Sequence, residues 1–165
     1  MYKSALISQC GKYRYHLQRV WDKELPRVCY IMLNPSTADA EKDDATIRRC
    51  IGFAKSWGYG GIDVVNLYAY RATQPSELWK VVDPVGPDND IWLRRMCAKL
   101  EVSLVVAAWG CNAKSERVRQ VFILLPFAIH QIGQYAFPRH PLRLPGTLTT
   151  VLIRGACGNP CEANP

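Results

Sequence analysis

The chain has 165 residues, 48% hydrophobic and 21% charged, the profile of a globular domain able to bury about 70% of its unfolded surface. Its 21 Lys and Arg outnumber 14 Asp and Glu, and the resulting +7 favours an anionic partner. The longest apolar runs, such as Val102–Trp109, fall far short of the ~20 residues of a membrane span; Met1–Cys10 holds no signal-peptide core, and seven scattered cysteines fit a reducing compartment, so a cytoplasmic protein without a membrane partner is expected.

Tyr13–Trp21 alternates apolar and polar residues, as a half-exposed strand does, and residues 4–8 can pair with it across the turn at 9–12, predicting an N-terminal hairpin. After Pro26, Val28–Leu33 is a continuous apolar run, the pattern of a strand buried on both faces, and it stops at Asn34-Pro35-Ser36-Thr37. In Asp44–Trp57, Ile47, Ile51, Ala54 and Trp57 recur at helical spacing, with Asp43 or Asp44 as N-cap and Gly58 as the stop. A second strand, Ile62–Leu67, carries Asn66 at its end and runs into the polar loop Tyr70–Pro75. Asp88–Leu100 reads as a helix, Val102–Ala108 as a third strand ended by Trp109-Gly110, Ser115–Leu125 as a helix halted by Pro126, and Ala128–Gly133 as a fourth strand. This alternation predicts an α/β three-layer sandwich with a mostly parallel central sheet, a single domain over 1–154 and a poorly ordered tail at 155–165 that holds Cys157 and Cys161.

In such sheets ligands bind beyond the carboxyl ends of the strands, so the residues that end each buried run are the first candidates for chemistry. They are Asn34, Pro35, Ser36, Thr37 and Asp39 after the first run, Asn66 and Arg71 after the second, Trp109 after the third, and Arg139, His140, Leu142 and Arg143 after the fourth. Asn-Pro also punctuates ordinary turns, Asn66 could cap a helix, and Asp39, Asp43 and Asp44 suit a helix N-terminus, where one of the three is expected to act. Arg71 suits a clamp on one of those carboxylates. His140, between two prolines, is the functional histidine of choice, whereas His16 and His130 sit in strands. From Arg117 to Cys161 there are arginines 117, 119, 139, 143 and 154 and no acid, a stretch suited to phosphate.

Other chemistries are thinned out by what the loops lack. No glycine-rich phosphate loop follows a strand, no cysteine set has zinc spacing, and Ser36 and His140 stand without a nucleophile-elbow motif, so no metal or cofactor is expected.

The stretches Arg14-Tyr-x-Leu, Ile31-Met-Leu-Asn-Pro-Ser-Thr-Ala-Asp39, Asp43-Asp-x-Thr-Ile-Arg-Arg-Cys50, Asn66-Leu-x-Ala-x-Arg-Ala-Thr73, Gly86-Pro-x-Asn-Asp90, Ala108-Trp-Gly110 and Pro138-Arg-His-Pro-Leu142 resemble the bacterial and phage family known as domain of unknown function 1643. A fainter resemblance links Leu33-Asn-Pro-Ser36, Asn66-Leu67 and Arg139-His-Pro-Leu142 to the uracil-DNA glycosylase superfamily, with Ser36 in place of a glycine. That resemblance implies a uracil-DNA glycosylase-like fold and a base flipped out of DNA into a pocket. Asn34 would orient water or a base edge, Asp39, Asp43 or Asp44 would steady positive charge on the sugar, and Asn66 would read the base. His140 would donate to the departing base, while Leu142 or Arg143 would fill the gap in the stack. The expected function is a glycosylase-like enzyme on a base in DNA, a modified one included. The rival readings are a non-catalytic nucleic-acid or nucleotide binding module, an enzyme acting on a free modified nucleotide, and a hydrolase using Ser36 or His140.

Overall fold

The third strand shows why the chain forms a layered sheet. In the computed structural model, which describes residues 1–155, β3 (Arg27–Met32) turns Val28, Tyr30 and Met32 to one face and Cys29 and Ile31 to the other, all buried. A strand apolar on both faces must be covered twice. One face takes α1 (Ala45–Ser56) through Ile47, Cys50, Phe53 and Ala54. The other takes α2 (Asn89–Cys97) through Leu93 and Met96, and α3 (Ser115–Leu124) through Val121. The remaining strands are β1 (Tyr2–Ile7), β2 (Arg14–Val20), β4 (Gly61–Asn66), β5 (Val102–Ala107), β6 (Ile129–Ile132) and β7 (Thr150–Arg154). Short 3-10 turns lie at Pro75–Lys80 and Pro141–Arg143. No helix among the described residues is long and apolar enough to cross a membrane. The tail expectation, with Cys157 and Cys161, falls outside the described residues.

The sheet order is β1-β2-β4-β3-β5-β6-β7. The three pairings β4-β3, β3-β5 and β5-β6 are parallel, and β1-β2, β2-β4 and β6-β7 are antiparallel. The architecture is thus α/β around a mixed sheet, which corrects the expected mostly parallel one. The four buried runs do form a parallel centre, but the hairpin adds two antiparallel strands on one side and β7 returns along β6 on the other. β7 has no helix before it to mark a crossover, and its β-branched run sits beside the tail, so the alternation of strand and helix does not reveal it.

β2 is buried at all seven positions, in contrast to the half-exposed strand that its alternation predicts. Its polar residues are inside because they have partners there. His16 Nε2 lies 2.6 Å from Asp63 Oδ1, and Gln18 Nε2 donates to the same oxygen at 3.0 Å. Asp63 is fully buried in β4 and also meets Lys99 Nζ at 3.3 Å and Arg27 Nε at 3.1 Å, the latter an ion pair outside hydrogen-bonding angles. Burial raises the Asp63 pKa, but the hydrogen bond from His16 and the charges of His16, Lys99 and Arg27 outweigh it and hold the carboxyl below its usual range. Burial lowers the His16 pKa against the pull of Asp63.

Removing the carboxylate takes the partner from buried His16 and from half-buried Arg27 and Lys99. Asp63→Asn is expected to cost about 3–5 kcal/mol, read from urea melts. Because the folded pKa values of His16 and Asp63 both lie below their ordinary values of 6.5 and 3.8, the unfolded chain binds more protons in acid. Stability should therefore be full above pH 6.5 and fall as the pH drops through 6.5 and again below 3.8, which a pH series of thermal melts checks.

Candidate functional site

The chain leaves β3 toward β4 on one side and reaches β5 on the other, so the crevice at the carboxyl ends of these strands is the switch point of the sheet. A cavity of about 390 Å³ lies there. Asn34 and Ser36 come to it from the end of β3, Asn66 from β4, Trp109 and Gly110 from β5, His140 from the loop after β6, and Asp44 to Ile47 from the start of α1. Asn34, Asn66 and His140, far apart in sequence, thus line one pocket.

Each is held differently. Asn34 Nδ2 donates to the carbonyls of Pro35 at 2.9 Å and Ala72 at 2.8 Å, which orients the amide and leaves Oδ1 as its free acceptor. Asn66 is 1% exposed, and neither its Oδ1 nor its Nδ2 has a hydrogen-bond partner among the described residues. Its main chain is fixed from behind. Asn89 Nδ2 donates to the carbonyls of Asn66 at 3.0 Å and Leu67 at 3.1 Å, and Arg117 Nε donates to Leu67 at 2.9 Å. His140 Nδ1 accepts a long 3.4 Å bond from Leu142 N, which puts the ring proton on Nε2. Desolvation at the rim lowers its pKa, opposed by the Asp44 carboxylate, so the ring is neutral at pH 7. Gly110 has φ +77°, and a Cβ there would come within 3.3 Å of the His140 Cβ, so glycine lets the two loops close on each other.

Of the three acids, Asp44 lines the pocket; its Oδ1 also caps α1 by accepting from Ile47 N at 2.8 Å. Asp39 and Asp43 do not line it. Asp39 Oδ1 accepts from Glu41 N and Lys42 N, both at 2.8 Å, and the hydrogen bonds from Lys42 and Glu41 lower its pKa. Asp43 is paired with Arg19 Nε at 2.7 Å and Lys3 Nζ at 3.3 Å. Pro35 is buried behind the loop with its carbonyl on Ala72 N, and Thr37 is exposed away from the cavity. Arg71 does not clamp a carboxylate; its Nη1 reaches the Gly11 carbonyl at 3.3 Å. Arg139, Leu142 and Arg143 are exposed beside His140, with Arg139 over the rings of Tyr135 and Phe137. Arg117 is not available to phosphate. It is 5% exposed and bound to Asp90 at 2.5 Å.

Arg14 lines the pocket as well, and sequence reading passes over it. In the β1–β2 register Leu6 faces His16 and Ile7 faces Arg14, so Tyr15 is an extra residue. This bulge reverses the facing of what precedes it, and a simple alternation cannot anticipate that. The signals available were a basic residue at the start of a strand and its place in the stretch Arg14-Tyr-x-Leu that carries the family resemblance. Among the described residues no group of three or more His, Cys, Asp or Glu side chains is placed to hold a metal. A second cavity, of about 850 Å³, shares Trp109, Gly110 and Cys111 with the first and runs past Phe122, Tyr135 and Phe137.

Residues 14–142 match the model of a family described as protein of unknown function (DUF1643). Neither the search of curated proteins nor that of solved structures found a significant match.

The division of labour among the acids is testable without a substrate. Asp43→Ala strips a fully buried arginine of its carboxylate and is expected to lose about 1.5–3 kcal/mol in denaturant melts. Asp44→Ala should lose about 1 kcal/mol through the helix cap.

Proposed function

We propose that this chain, which belongs to the DUF1643 family, is a glycosylase-like enzyme that receives a base flipped out of DNA, a modified base included, and hydrolyses its bond to the sugar. The Asn66 amide carries the reading. A buried amide with donor and acceptor both unspent is complementary to a nucleobase edge, which offers the converse pair. Left unmet, each such group costs about 1–3 kcal/mol, which a ligand edge would recover. The cavity volume of about 390 Å³ falls in the ~300–1,000 Å³ range of small-ligand sites.

A uracil-DNA glycosylase-like fold is part of the same proposal. The parallel centre, ordered β4-β3-β5-β6, supports it, and each stretch that carries the resemblance contributes a pocket residue: Asn34, Asn66 and His140. In the reaction a water oxygen bonds to the sugar C1′ while the bond from C1′ to the base nitrogen breaks. The base leaves with the electron pair and ends with the proton that the water gives up. Asn34 Oδ1, its amide locked by two carbonyls, accepts from the water and aims it. Asp44, the one of the three acids that lines the cavity, steadies positive charge on the sugar in this reading. His140, neutral with its proton on Nε2, donates to an oxygen of the departing base, where excluded water makes the contact worth a few kcal/mol. Exposed Leu142 or Arg143 fills the vacated stack, and exposed Arg139 meets phosphate in a salt-dependent contact.

A panel of duplexes, each carrying one modified base, tests this with the full chain. Cleavage of at least one base is expected, with Asn34→Ala and His140→Ala lowering turnover about 100-fold or more and changing DNA affinity little. Binding with no cleavage of any base would make the protein a binding module. Turnover of a free nucleotide alone would move the chemistry off DNA.

A further inference from the structure

The second cavity, of about 850 Å³, takes no part in the chemistry above. β7 returns beside β6 without a crossover α-helix among the described residues, so the sheet face beyond α3 is bordered by the loop 134–138 in place of a helix. Phe122 of α3, Val151 and Ile153 of β7, and Tyr135 and Phe137 of the loop line the space that results. Gln131 Nε2 donates to the Tyr135 carbonyl at 2.8 Å, which ties the loop to the sheet. Phe137 is 40% exposed on this tied loop, an aromatic ring left in water beside an apolar cavity.

Two observations say what fits there. The first is charge: among the described residues no Asp or Glu lines the cavity, Arg119 does, and Arg139 lies over the rings of Tyr135 and Phe137, 5.0 and 5.1 Å from their centroids. The second is continuity. Trp109, Gly110 and Cys111 line both cavities, and Trp109 packs on Phe122 with 5.9 Å between ring centroids. A strand with negative charge along its backbone and a flat ring on every residue meets both conditions, with one ring in each cavity.

We propose that the second cavity takes the base next to the flipped one on the same strand, unpaired and stacked on Phe137, with its phosphates along Arg119 and Arg139. The inference rests on the nucleobase reading above. It adds the form of the substrate: a base paired and stacked inside a duplex does not reach a side wall, so the neighbour opens too, and a strand that is already single spares that cost. Every base has a π face, so this contact tolerates any sequence.

Fluorescence anisotropy of the full chain with labelled oligothymidylate of about twelve residues, alone and annealed to oligoadenylate, tests this. The single strand should bind at least about tenfold tighter than the duplex at the same salt. Phe137→Ala should bring that ratio near one, and Phe137→Trp should keep it, because stacking needs a ring and not a particular packed shape. Thermal melts check that both variants fold. An oligothymidylate with every second base replaced by an abasic sugar needs no variant and should lose a similar factor. Equal binding of the two forms, a ratio unchanged in Phe137→Ala, or a ratio lost in both variants overturns the inference and leaves the pocket reading to the cleavage panel. A dimer in light scattering that Phe137→Ala dissociates would give the cavity to a second copy of the chain and overturns it as well. Absence of binding by either form at about 100 μM and low salt overturns both readings.

Discussion

The pocket depends on one clamp. Arg19 is fully buried in β2 and spends its guanidinium on the segment that follows β3: Nη2 donates to the Asp39 carbonyl at 2.6 Å and Nε to the Asp43 carboxylate at 2.7 Å. Arg14 adds a second hold on the same segment at Ala38. A loop of twelve residues between strand and helix would otherwise carry its polar backbone into water with little to define its path. Held in this way, it delivers Asn34 and Ser36 to one side of the cavity and the start of α1 to another.

The same logic runs through the opposite wall. Asn89 from α2 and Arg117 from α3 give their side chains to the carbonyls of Asn66 and Leu67, so the end of β4 is fixed by donors that themselves stay out of the pocket. Support of this kind is what allows a side chain to be buried with its polar atoms unspent, because the backbone rather than the amide sets its position. The pocket thus combines tightly partnered surroundings with a few groups, Asn66 and Arg14 foremost, whose hydrogen-bonding capacity is left for a ligand.

Charge has two distinct fates in this protein. Within β4, Asp63 is surrounded by His16, Gln18, Arg27 and Lys99, and Arg27 is also paired with Glu101. At the acidic loop, Asp43 is consumed by Arg19 and Lys3, and Asp39 by its own turn. Asp44 remains at the cavity, and it is also the cap of α1. The excess of basic residues left at the surface includes Arg139 and Arg143 beside His140, while Arg117 belongs to the interior.

Several of these features were legible in the residues. The apolar run of β3, the helical spacing of Ile47, Ile51 and Ala54, and the polar stops at Asn34, Asn66 and Trp109 are local patterns, since burial on one or two faces imposes a period on the chain. Those stops, with the proline-flanked loop after the fourth run, were enough to nominate Asn34, Asn66 and His140. Sequence could not sort Asp39, Asp43 and Asp44, because three neighbouring carboxylates look alike until their partners Arg19 and Lys3, about 20 and 40 residues away, are in place. It also missed Arg14, whose facing is decided by a single bulged residue, and the burial of β2, whose polar side chains tolerate the interior only through partners on β4 and on the loop after β3. Periodicity and punctuation, being local, were determined by the sequence alone. Which polar group is spent and which is left for a ligand depends on partners distant along the chain, and only the tertiary structure decided it.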